Sequence, residues 1–318
     1  MTETTVNPPV SYRDGKRYYT LDDYLKTTFG EKVYRLSLNG GMTCPNRDGS
    51  LDTRGCIFCS AGGSGDFATA PSLSVFQQID AAKLRIQQKS SCKKFIAYFQ
   101  AYTNTYAPVD YLRKIFSEAI AHPDIVALSI ATRCDCLPPE VLDLLEELNR
   151  IKPVWIELGL QTIHADTLKA IRSGFTLDQY ERAVYALNDR GIDVITHLIF
   201  GLPGESREMM LRSLSYVTSL PVKGLKLQLL HVLKNTDLGS IYENEPFPLF
   251  TFDDYCEFIV DCIEQIPSDI VLHRLTGDGP RALLLAPLWS TDKKRVLNTI
   301  QKRLKERNTW QGRLSTRH

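Results

Sequence analysis

Hydrophobic residues along most of this chain alternate between the spacing of strands and the spacing of amphipathic helices. Apolar runs of strand length are separated by stretches in which apolar residues recur every three or four positions. Strands are predicted at 32–39, 95–99, 125–132, 154–161, 192–200 and 224–230, and helices at 73–89, 109–121, 138–149, 178–190 and 206–219. Six strands alternating with helices over about 200 residues indicate repeated β-then-α units.

The strands read as apolar runs that are covered on both faces, and this alternation predicts an α/β fold with a parallel sheet and right-handed crossovers. Six units suit a partial barrel, and an open doubly wound sheet fits the same pattern. In either architecture, functional groups are expected at the C-terminal ends of the strands.

Beyond residue 235 the alternation loosens. A Pro- and Phe-rich stretch at 246–248 precedes a predicted helix at 253–265, a strand at 269–275 and a basic amphipathic tail. We therefore expect a polar N-terminal lead (1–30), the β/α units (31–235) and a C-terminal α+β appendage with a basic helix (236–318).

Composition excludes several classes of protein. With 43% hydrophobic and 24% charged residues the chain is ordinary for a globular protein. No run approaches 18 apolar residues, which predicts no membrane span, and the polar stretch 1–17 predicts no secretory signal. We expect a cytoplasmic location, where the eight cysteines favour metal binding, catalysis or burial over disulfides.

Charge is balanced overall and unbalanced at the C-terminus. The 38 Lys and Arg residues nearly match the 37 Asp and Glu residues, which indicates no general partner. From Thr291 to His318, however, nine basic residues face only Asp292 and Glu306, a net charge of about +7. Such a tail is compatible with nucleic acid, although a basic amphipathic helix is usually a solvated face.

Three cysteines share one loop directly after the first predicted strand. Cys44, Cys56 and Cys59 have the spacing C-x11-C-x2-C in a segment rich in Gly, Asp and Asn. A zinc site would need a fourth ligand such as His122 or Cys92, and a disulfide would leave one thiol over. The position favours an iron–sulfur site with three thiolates, which leaves one iron open to a ligand.

The loop CPNRDGSLDTRGCIFC, with Phe58 before its last cysteine and SGDF at 64–67, resembles the cluster loop of the radical S-adenosylmethionine (SAM) superfamily. The long spacing resembles more closely the family typified by the bacterial proteins YhcC and YtqA. Its neighbours are the Elongator catalytic subunit and oxygen-independent coproporphyrinogen oxidase. The resemblance implies a partial (β/α)6 barrel and a [4Fe-4S] cluster on Cys44, Cys56 and Cys59. It also implies SAM, cleaved to a 5′-deoxyadenosyl radical that takes a hydrogen atom from the substrate.

Polar residues within the strands are the candidate SAM contacts. Period-two geometry points Glu157 and Gln161 to one face, where a polar cofactor explains them better than packing does. By the resemblance, Gln161 matches a SAM-contacting glutamine and His197 replaces a ribose-binding aspartate, with a core histidine as the alternative. The other implied contacts are Phe58, Gln100, Thr103, Arg172 and Gly201, and a plain polar turn is the alternative at Gln100 and Thr103.

Candidate substrate contacts follow later strands. Arg133 and Asp135 end the third strand, and His273, Arg274 and Asp278 lie in a polar segment near the C-terminus. Cys134 and Cys136, which alternate with Arg133 and Asp135, form a C-x-C that we expect to be buried, with a second metal or redox site as the alternative. Cys92, Cys256 and Cys262 are expected to be interior thiols.

Two enzyme hypotheses and one binding hypothesis follow from these residues. Elongator-type relatives imply action on the C5 side chain of tRNA wobble uridine, with tRNA and an electron donor such as flavodoxin or ferredoxin as partners. The coproporphyrinogen oxidase neighbour implies a small metabolite, such as a tetrapyrrole or an amino acid. The third hypothesis is a zinc-stabilised binding protein.

Overall fold

A computed structural model describes residues 12–63, 73–277 and 279–315 of the chain. The SGDF motif at 64–67, Asp278 and the end of the basic tail lie outside these ranges. The strands are β1 (Val33–Leu38), β2 (Lys94–Phe99), β3 (Ile125–Thr132), β4 (Val154–Gln161), β5 (Asp193–Phe200), β6 (Gly224–Leu229), β7 (Val232–Leu233), β8 (Val271–Arg274) and β9 (Leu284–Ala286).

Strands β1 to β6 and then β8 form one parallel sheet in the order of the chain, and β7 pairs with β9 antiparallel. The sheet curls into a half-barrel, which confirms the predicted α/β partial barrel. A seventh strand, β8, is added from beyond residue 235 at the place where the sequence predicts a strand. The division into lead, barrel and appendage stays a prediction.

The helices lie between the strands and beyond them. They are α1 (Leu21–Phe29), α2 (Val75–Gln87), α3 (Val109–Ala121), α4 (Pro139–Asn149), α5 (Ala165–Ala170), α6 (Leu177–Asn188), α7 (Arg207–Ser219), α8 (Asp237–Asn244), α9 (Phe252–Gln265) and α10 (Lys293–Glu306). The predicted helices are confirmed to within about two residues at their ends, as expected for a 3.6-residue apolar period. Sequence analysis missed α1, α5 and α8.

The buried faces of these elements follow from their patterns. In α3, Leu112, Ile115, Phe116 and Ala119 lie on one side of the helix and are at most 5% exposed. Capping boxes begin α2 and α6: at α6 the Thr176 hydroxyl accepts from the backbone of Gln179, whose side chain accepts in return. The helices cover the outside of the sheet and leave its inner face for the interior of the half-barrel.

Helix α1 closes the N-terminal end of the half-barrel. Leu25 of α1 packs with inward-facing residues near the strand starts, namely Val33, Ile96, Ala127, Trp155 and Ile195. The helix begins at Thr20, whose hydroxyl accepts from the backbone N–H of Asp23. Because this end is filled with apolar side chains, the interior opens toward the C-terminal ends of the strands.

Two features outside the barrel interior complete the fold. Helices α9 and α10 pack against each other, and the predicted interior thiols Cys92, Cys256 and Cys262 are buried.

Over the part of the chain with described structure, every helix is too short or too polar to span a bilayer.

Candidate functional site

A cavity of about 480 Å³ opens at the C-terminal ends of the strands. Polar side chains from β1, β2, β4, β5, β6 and β8 line it, together with the loop that follows β1. The described lining residues that bear on the chemistry are Arg35, Cys44, Arg47, Cys56, Phe58, Cys59, Tyr98, Gln100, Thr103, Arg133, Glu157, Gly159, Gln161, His197, Lys226, Gln228 and Arg274.

The three loop thiols lie on the wall of this cavity. Cys59 donates a hydrogen bond to the sulfur of Cys56, which lowers the pKa of Cys56 to about 6 and raises the pKa of Cys59 well above its usual range. Among residues 12–63, 73–277 and 279–315, no three His, Cys, Asp or Glu side chains stand close enough to hold one metal ion. Zinc gathers four ligands within about 2.3 Å of one point, whereas a multi-iron cluster is larger and accepts thiols set further apart.

Asn46 and Arg47 hold the cysteine loop in place. The Asn46 amide donates to the carbonyl oxygen of Arg172 at 2.7 Å and to the sulfur of Cys56 at 3.5 Å, and the residue is 1% exposed. The Arg47 guanidinium donates to the carbonyl oxygens of Cys59 at 3.2 Å and Ser60 at 2.7 Å. The loop is therefore held by partly buried hydrogen bonds before any ligand is added.

The segment after β2 clamps the other side of the loop. The backbone N–H of Thr103 donates to the carbonyl of Thr43 at 3.1 Å, and that of Tyr102 donates to Gly63 at 3.0 Å. Gly63 has a φ of 56°, and a Cβ there would lie 2.3 Å from the Tyr102 ring. Only glycine fits this approach, and the clamp presents Gln100 and Thr103 to the cavity.

Gln161, the last residue of β4, has two unusual features. Its φ of 73° is a backbone conformation that a side chain disfavours, and its buried Oε1 has no hydrogen-bond partner. A Cβ on Gly159 would lie 2.7 Å from the Gln161 Nε2 atom, so glycine makes room for this amide. A strained residue with an orphaned buried oxygen on a cavity wall indicates a ligand.

Glu157 is the centre of a buried charged network deeper in the cavity. It is 0% exposed, forms an ion pair with Lys226 and lies 3.4 Å from the Arg35 guanidinium. His197 Nε2 lies 3.0 Å from one carboxylate oxygen, and the Ser129 hydroxyl donates to the other at 2.9 Å. Burial opposes its ionisation, yet Lys226 and Arg35 hold the pKa of Glu157 well below its usual range.

Burial also shifts the pKa values of two residues that contact Glu157, namely Lys226 and His197. Burial lowers the pKa of Lys226 to about 7 against the attraction of Glu157. Burial and the charge of Lys226 lower the pKa of His197 to about 4, so His197 is neutral at pH 7 and donates through Nε2. The His197 ring therefore lines the cavity and is also hydrogen-bonded to Glu157, and its contact with a ribose stays a prediction.

Arg35 links this network to β8. One of its terminal nitrogens donates to Nδ1 of His273 at 2.8 Å, and burial followed by the charge of Arg35 lowers the pKa of His273 well below its usual range. His273 packs edge-on against Trp155 and is not among the described lining residues, whereas Arg274 is. Tyr98 lies between Arg35 and Lys226, with its ring centre 5.4 Å and 4.8 Å from the two cations.

The other predicted substrate contacts are placed near the thiols. Arg133 lines the cavity and donates twice to Asp135, at 2.9 and 2.7 Å, so Asp135 holds the guanidinium from outside the cavity. Cys134 and Cys136 are each 7% exposed, and burial raises the pKa of each thiol to about 12, as the burial prediction expects. Asp278 lies outside the described residues.

Two implied SAM contacts are placed elsewhere. Arg172 and Gly201 are absent from the described lining of the cavity. The Arg172 guanidinium forms ion pairs with Asp237 and, at 4.0 Å, with Asp52 of the cysteine loop, while its carbonyl oxygen accepts from the Asn46 amide. At Gly201 the Phe250 ring lies 3.3 Å from where a Cβ would be, so an aromatic side chain covers the turn that was expected to contact SAM.

Sequence analysis missed Arg35, Tyr98 and Lys226. Each lies in a mainly apolar strand, and Arg35 and Lys226 are the third residues of β1 and β6. In a strand, every second side chain points to the same face, and this rule was used above for Glu157 and Gln161 of β4. Applied to β1 (VYRLSL) and β6 (GLKLQL), the same rule places Arg35 and Lys226 on the face that lines the interior of the half-barrel.

Known proteins resemble this chain over most of its length. A family model for the radical SAM superfamily matches residues 53–217, and one for the radical SAM C-terminal domain matches residues 222–306. The protein YtqA of Bacillus subtilis is 44% identical over 98% of this chain and 97% of its own length. YhcC of Escherichia coli K12 is 38% identical over 83% of this chain and 85% of its own length.

Solved structures share the fold. The archaeal Methanocaldococcus infernus Elp3 matches with a TM-score of 0.66 and 16% identity, over 88% of this chain and 64% of that one. Methylornithine synthase matches with a TM-score of 0.52 and 12% identity, over 92% and 87% of the two chains. Such identities show the fold alone. On the family models and the two bacterial relatives, the chain belongs to the radical SAM superfamily, in the family typified by YhcC and YtqA, and is an enzyme whose family uses a [4Fe-4S] cluster and SAM.

Proposed function

We propose that Cys44, Cys56 and Cys59 hold the [4Fe-4S] cluster and that SAM binds between these thiols and the end of β4. The three thiols on one cavity wall supply the donor set, and the orphaned oxygen of Gln161 supports a ligand beside them. When bound, the cluster and SAM together supply a 5′-deoxyadenosyl radical that removes a hydrogen atom from the substrate.

The chain's own residues have separate tasks in this site. Asn46 and Arg47 fix the loop, while Gln161, Gln100 and Thr103 offer hydrogen bonds to the polar parts of SAM. His197 is held by Glu157 and presents its ring to the cavity, as the ribose contact implied by the resemblance requires. Phe58 lines the wall between the last two cysteines. Helix α1 closes the far end with apolar side chains and so excludes water.

For the substrate, we propose the C5 side chain of the wobble uridine of tRNA. A tRNA uridine(34) acetyltransferase of Methanocaldococcus infernus is 26% identical over half of this chain and 30% of its own length. The cavity lies at the C-terminal ends of the strands and apolar side chains fill the other end of the half-barrel, so a base would have to leave its stack and enter. An electron donor such as flavodoxin or ferredoxin belongs to this proposal, as does a cytoplasmic location, since the eight cysteines are free thiols.

The substrate proposal depends on this similarity to a wobble-uridine enzyme. The proposal is tested by analysing the tRNA itself. Nucleosides from total tRNA are compared between cells with the gene, cells without it, and cells with the Cys56→Ala variant. We expect one C5-substituted uridine to accumulate when the gene is lost or altered, and its mature form to fall. Identical profiles in all three strains would reject tRNA and favour the small-metabolite alternative. Membership of the radical SAM superfamily favours both enzyme hypotheses, the one on tRNA and the one on a small metabolite, over a zinc-stabilised binding protein.

A further inference from the structure

Two exposed cations lie at the mouth of the cavity, on the short antiparallel ribbon that contains β7 and β9. We call residues 231–235 and 279–286 the mouth ribbon. Leu233 and Pro280 of the ribbon line the cavity, and Lys234 and Arg281 come directly after them in the sequence. The ribbon therefore carries positive charge at the place where a molecule enters.

This charge is not neutralised within the described structure. Neither the Lys234 ammonium nor the Arg281 guanidinium forms an ion pair or a hydrogen bond with the described residues, and the ribbon itself contains no Asp or Glu. By contrast, the exposed guanidinium of Arg54, on the cysteine loop, pairs with Asp237 at 2.8 Å. The mouth ribbon thus offers its two cations to a ligand from outside.

Close packing holds the mouth ribbon in place. The backbone N–H of Lys234 donates to the carbonyl oxygen of Leu283 at 2.7 Å, which keeps the two cations next to each other. Beneath them the His231 ring fits between Gly277 and Gly279, where a Cβ on either glycine would collide with a ring nitrogen. Cations on a fixed backbone lose less freedom when they bind a ligand, so the ribbon is preorganised.

We infer that the mouth ribbon binds the RNA phosphates on the two sides of the base that enters the cavity. This inference rests on the proposed function and adds the surface that holds the RNA. When a base leaves its stack and enters a pocket, its flanking phosphates stay outside at the mouth. Lysine and arginine side chains bind phosphate oxygens with charge-assisted hydrogen bonds and so fix the position of the strand.

Three RNAs test the ribbon in anaerobically reconstituted, full-length enzyme. The first is an unaltered anticodon stem-loop RNA with uridine at the wobble position. In the second, uncharged methylphosphonates replace the linkages on both sides of this uridine, and in the third they replace two linkages of the stem. Affinities are measured for the wild type and for Lys234→Gln with Arg281→Gln. The matched control is Arg85→Gln with Lys114→Gln, because these residues are exposed on α2 and α3 and form no ion pair with the described residues.

We expect the wild type and the control to bind the RNA with neutral flanking linkages about fivefold less tightly than the unaltered RNA, a factor typical of an exposed ion pair. The ribbon variant should bind the unaltered RNA about fivefold less tightly than the wild type does, and should lose nothing more when the flanking linkages are neutral. Neutral stem linkages should affect all three proteins equally. An equal loss at the flanking linkages in the wild type and the ribbon variant would overturn the inference.

Iron content and the urea midpoint show whether each variant is folded. If the double variant does not retain iron, the single variants Lys234→Gln and Arg281→Gln are measured in the same way, and each should remove part of the loss at the flanking linkages.

The competing occupant of the ribbon is an acidic electron-donor protein. If the ribbon variant slowed reduction of the cluster by flavodoxin and bound all three RNAs like the wild type, the ribbon would be a donor surface and the inference would be overturned. The two proposals fail in different ways. A wild type that binds none of the RNAs would reject the tRNA function together with the ribbon, whereas RNA binding that is indifferent to the flanking linkages would reject the ribbon alone.

Discussion

At the scale of single residues, the site depends on one buried carboxylate. Glu157 orients His197 through a hydrogen bond of 3.0 Å and balances Lys226, which is 1% exposed. Removing one partner of such a pair leaves the other charge buried, which costs more than removing both. The network around Glu157 therefore contributes to the stability of the fold, and it also positions the His197 ring and the Lys226 ammonium group.

Replacing Glu157 tests this coupling. We expect Glu157→Gln to lower the free energy of unfolding by about 3 kcal/mol, because Lys226 is left without its anion. The double variant Glu157→Gln with Lys226→Met should lose clearly less than the sum of the two single variants. Urea unfolding of the three variants measures the coupling, and additive losses would show that the pair does not act as a unit.

Protonation of His197 is expected to make the free energy of unfolding depend on pH. Its pKa is about 4 in the folded chain and about 6.5 when unfolded, so below pH 6.5 the unfolded chain binds the extra proton. The contribution of neutral His197 to the free energy of unfolding is fully present above pH 6.5. It falls on acidification, by about 2 kcal/mol between pH 7 and pH 5. In His197→Asn this loss should shrink, and in His164→Asn, on a ring outside the cavity, it should persist. Equal slopes in urea unfolding for all three proteins would contradict the assignment.

At the scale of elements, the cysteine loop is shaped by its neighbours rather than by its own sequence. The backbone after β2 clamps it through Gly63 and Thr43, and the Asn46 amide ties it to the turn after α5. The spacing of the thiols predicts the site, whereas the closeness of Tyr102 to Gly63 requires the folded chain.

A methyl group at Gly63 tests the clamp. In Gly63→Ala the new Cβ would meet the Tyr102 ring, so we expect the loop to shift and iron retention after reconstitution to fall severalfold. Gly191→Ala is the matched control, because Gly191 also has a positive φ (67°) but has no neighbour within 4 Å of its Cβ position. Iron and sulfide per chain are measured for both. Equal contents would mean that the clamp does not hold the loop.

Most of the barrel could be predicted because its strands are apolar runs that are buried on both faces. The bounds of β3, β4 and α3 are confirmed without change. Helix α1 was missed because LDDYLKTTF is largely polar, although Thr20 and Asp23 have the spacing of an N-cap. The positions of Arg172 and Gly201 could not be predicted, since they depend on Asp237 and Phe250, which come from distant parts of the chain.

At the scale of the whole molecule, the basic tail is less available than its net charge implies. Arg303 of α10 and Arg307, directly after it, form ion pairs with acidic residues of α9, namely Asp253, Glu257, Asp261 and Glu264. The remaining basic face includes Lys294 and Lys302, which line a shallow groove along α10. Any contact of this tail with RNA is therefore expected on that outward face.

The outward face of α10 can be tested through salt dependence. If it contacts tRNA phosphates, Lys294→Ala with Lys302→Ala should weaken binding and lower the salt slope of log affinity by about two. Lys89→Ala with Lys93→Ala removes the same charge from another exposed part of the chain and should leave the slope unchanged. A filter-binding series in salt separates the two cases, and unchanged binding in the α10 variant would make the tail a solvated face.

The central claim is that three thiolates hold a cluster that cleaves SAM, and one measurement tests it most directly. The protein is reconstituted with iron and sulfide without oxygen, reduced in the presence of SAM, and assayed for 5′-deoxyadenosine. The account predicts about four irons per chain and 5′-deoxyadenosine from the wild type, and neither a complete cluster nor this product from Cys56→Ala. A wild-type protein that takes up only zinc, or that forms no 5′-deoxyadenosine with its iron in place, would contradict the account.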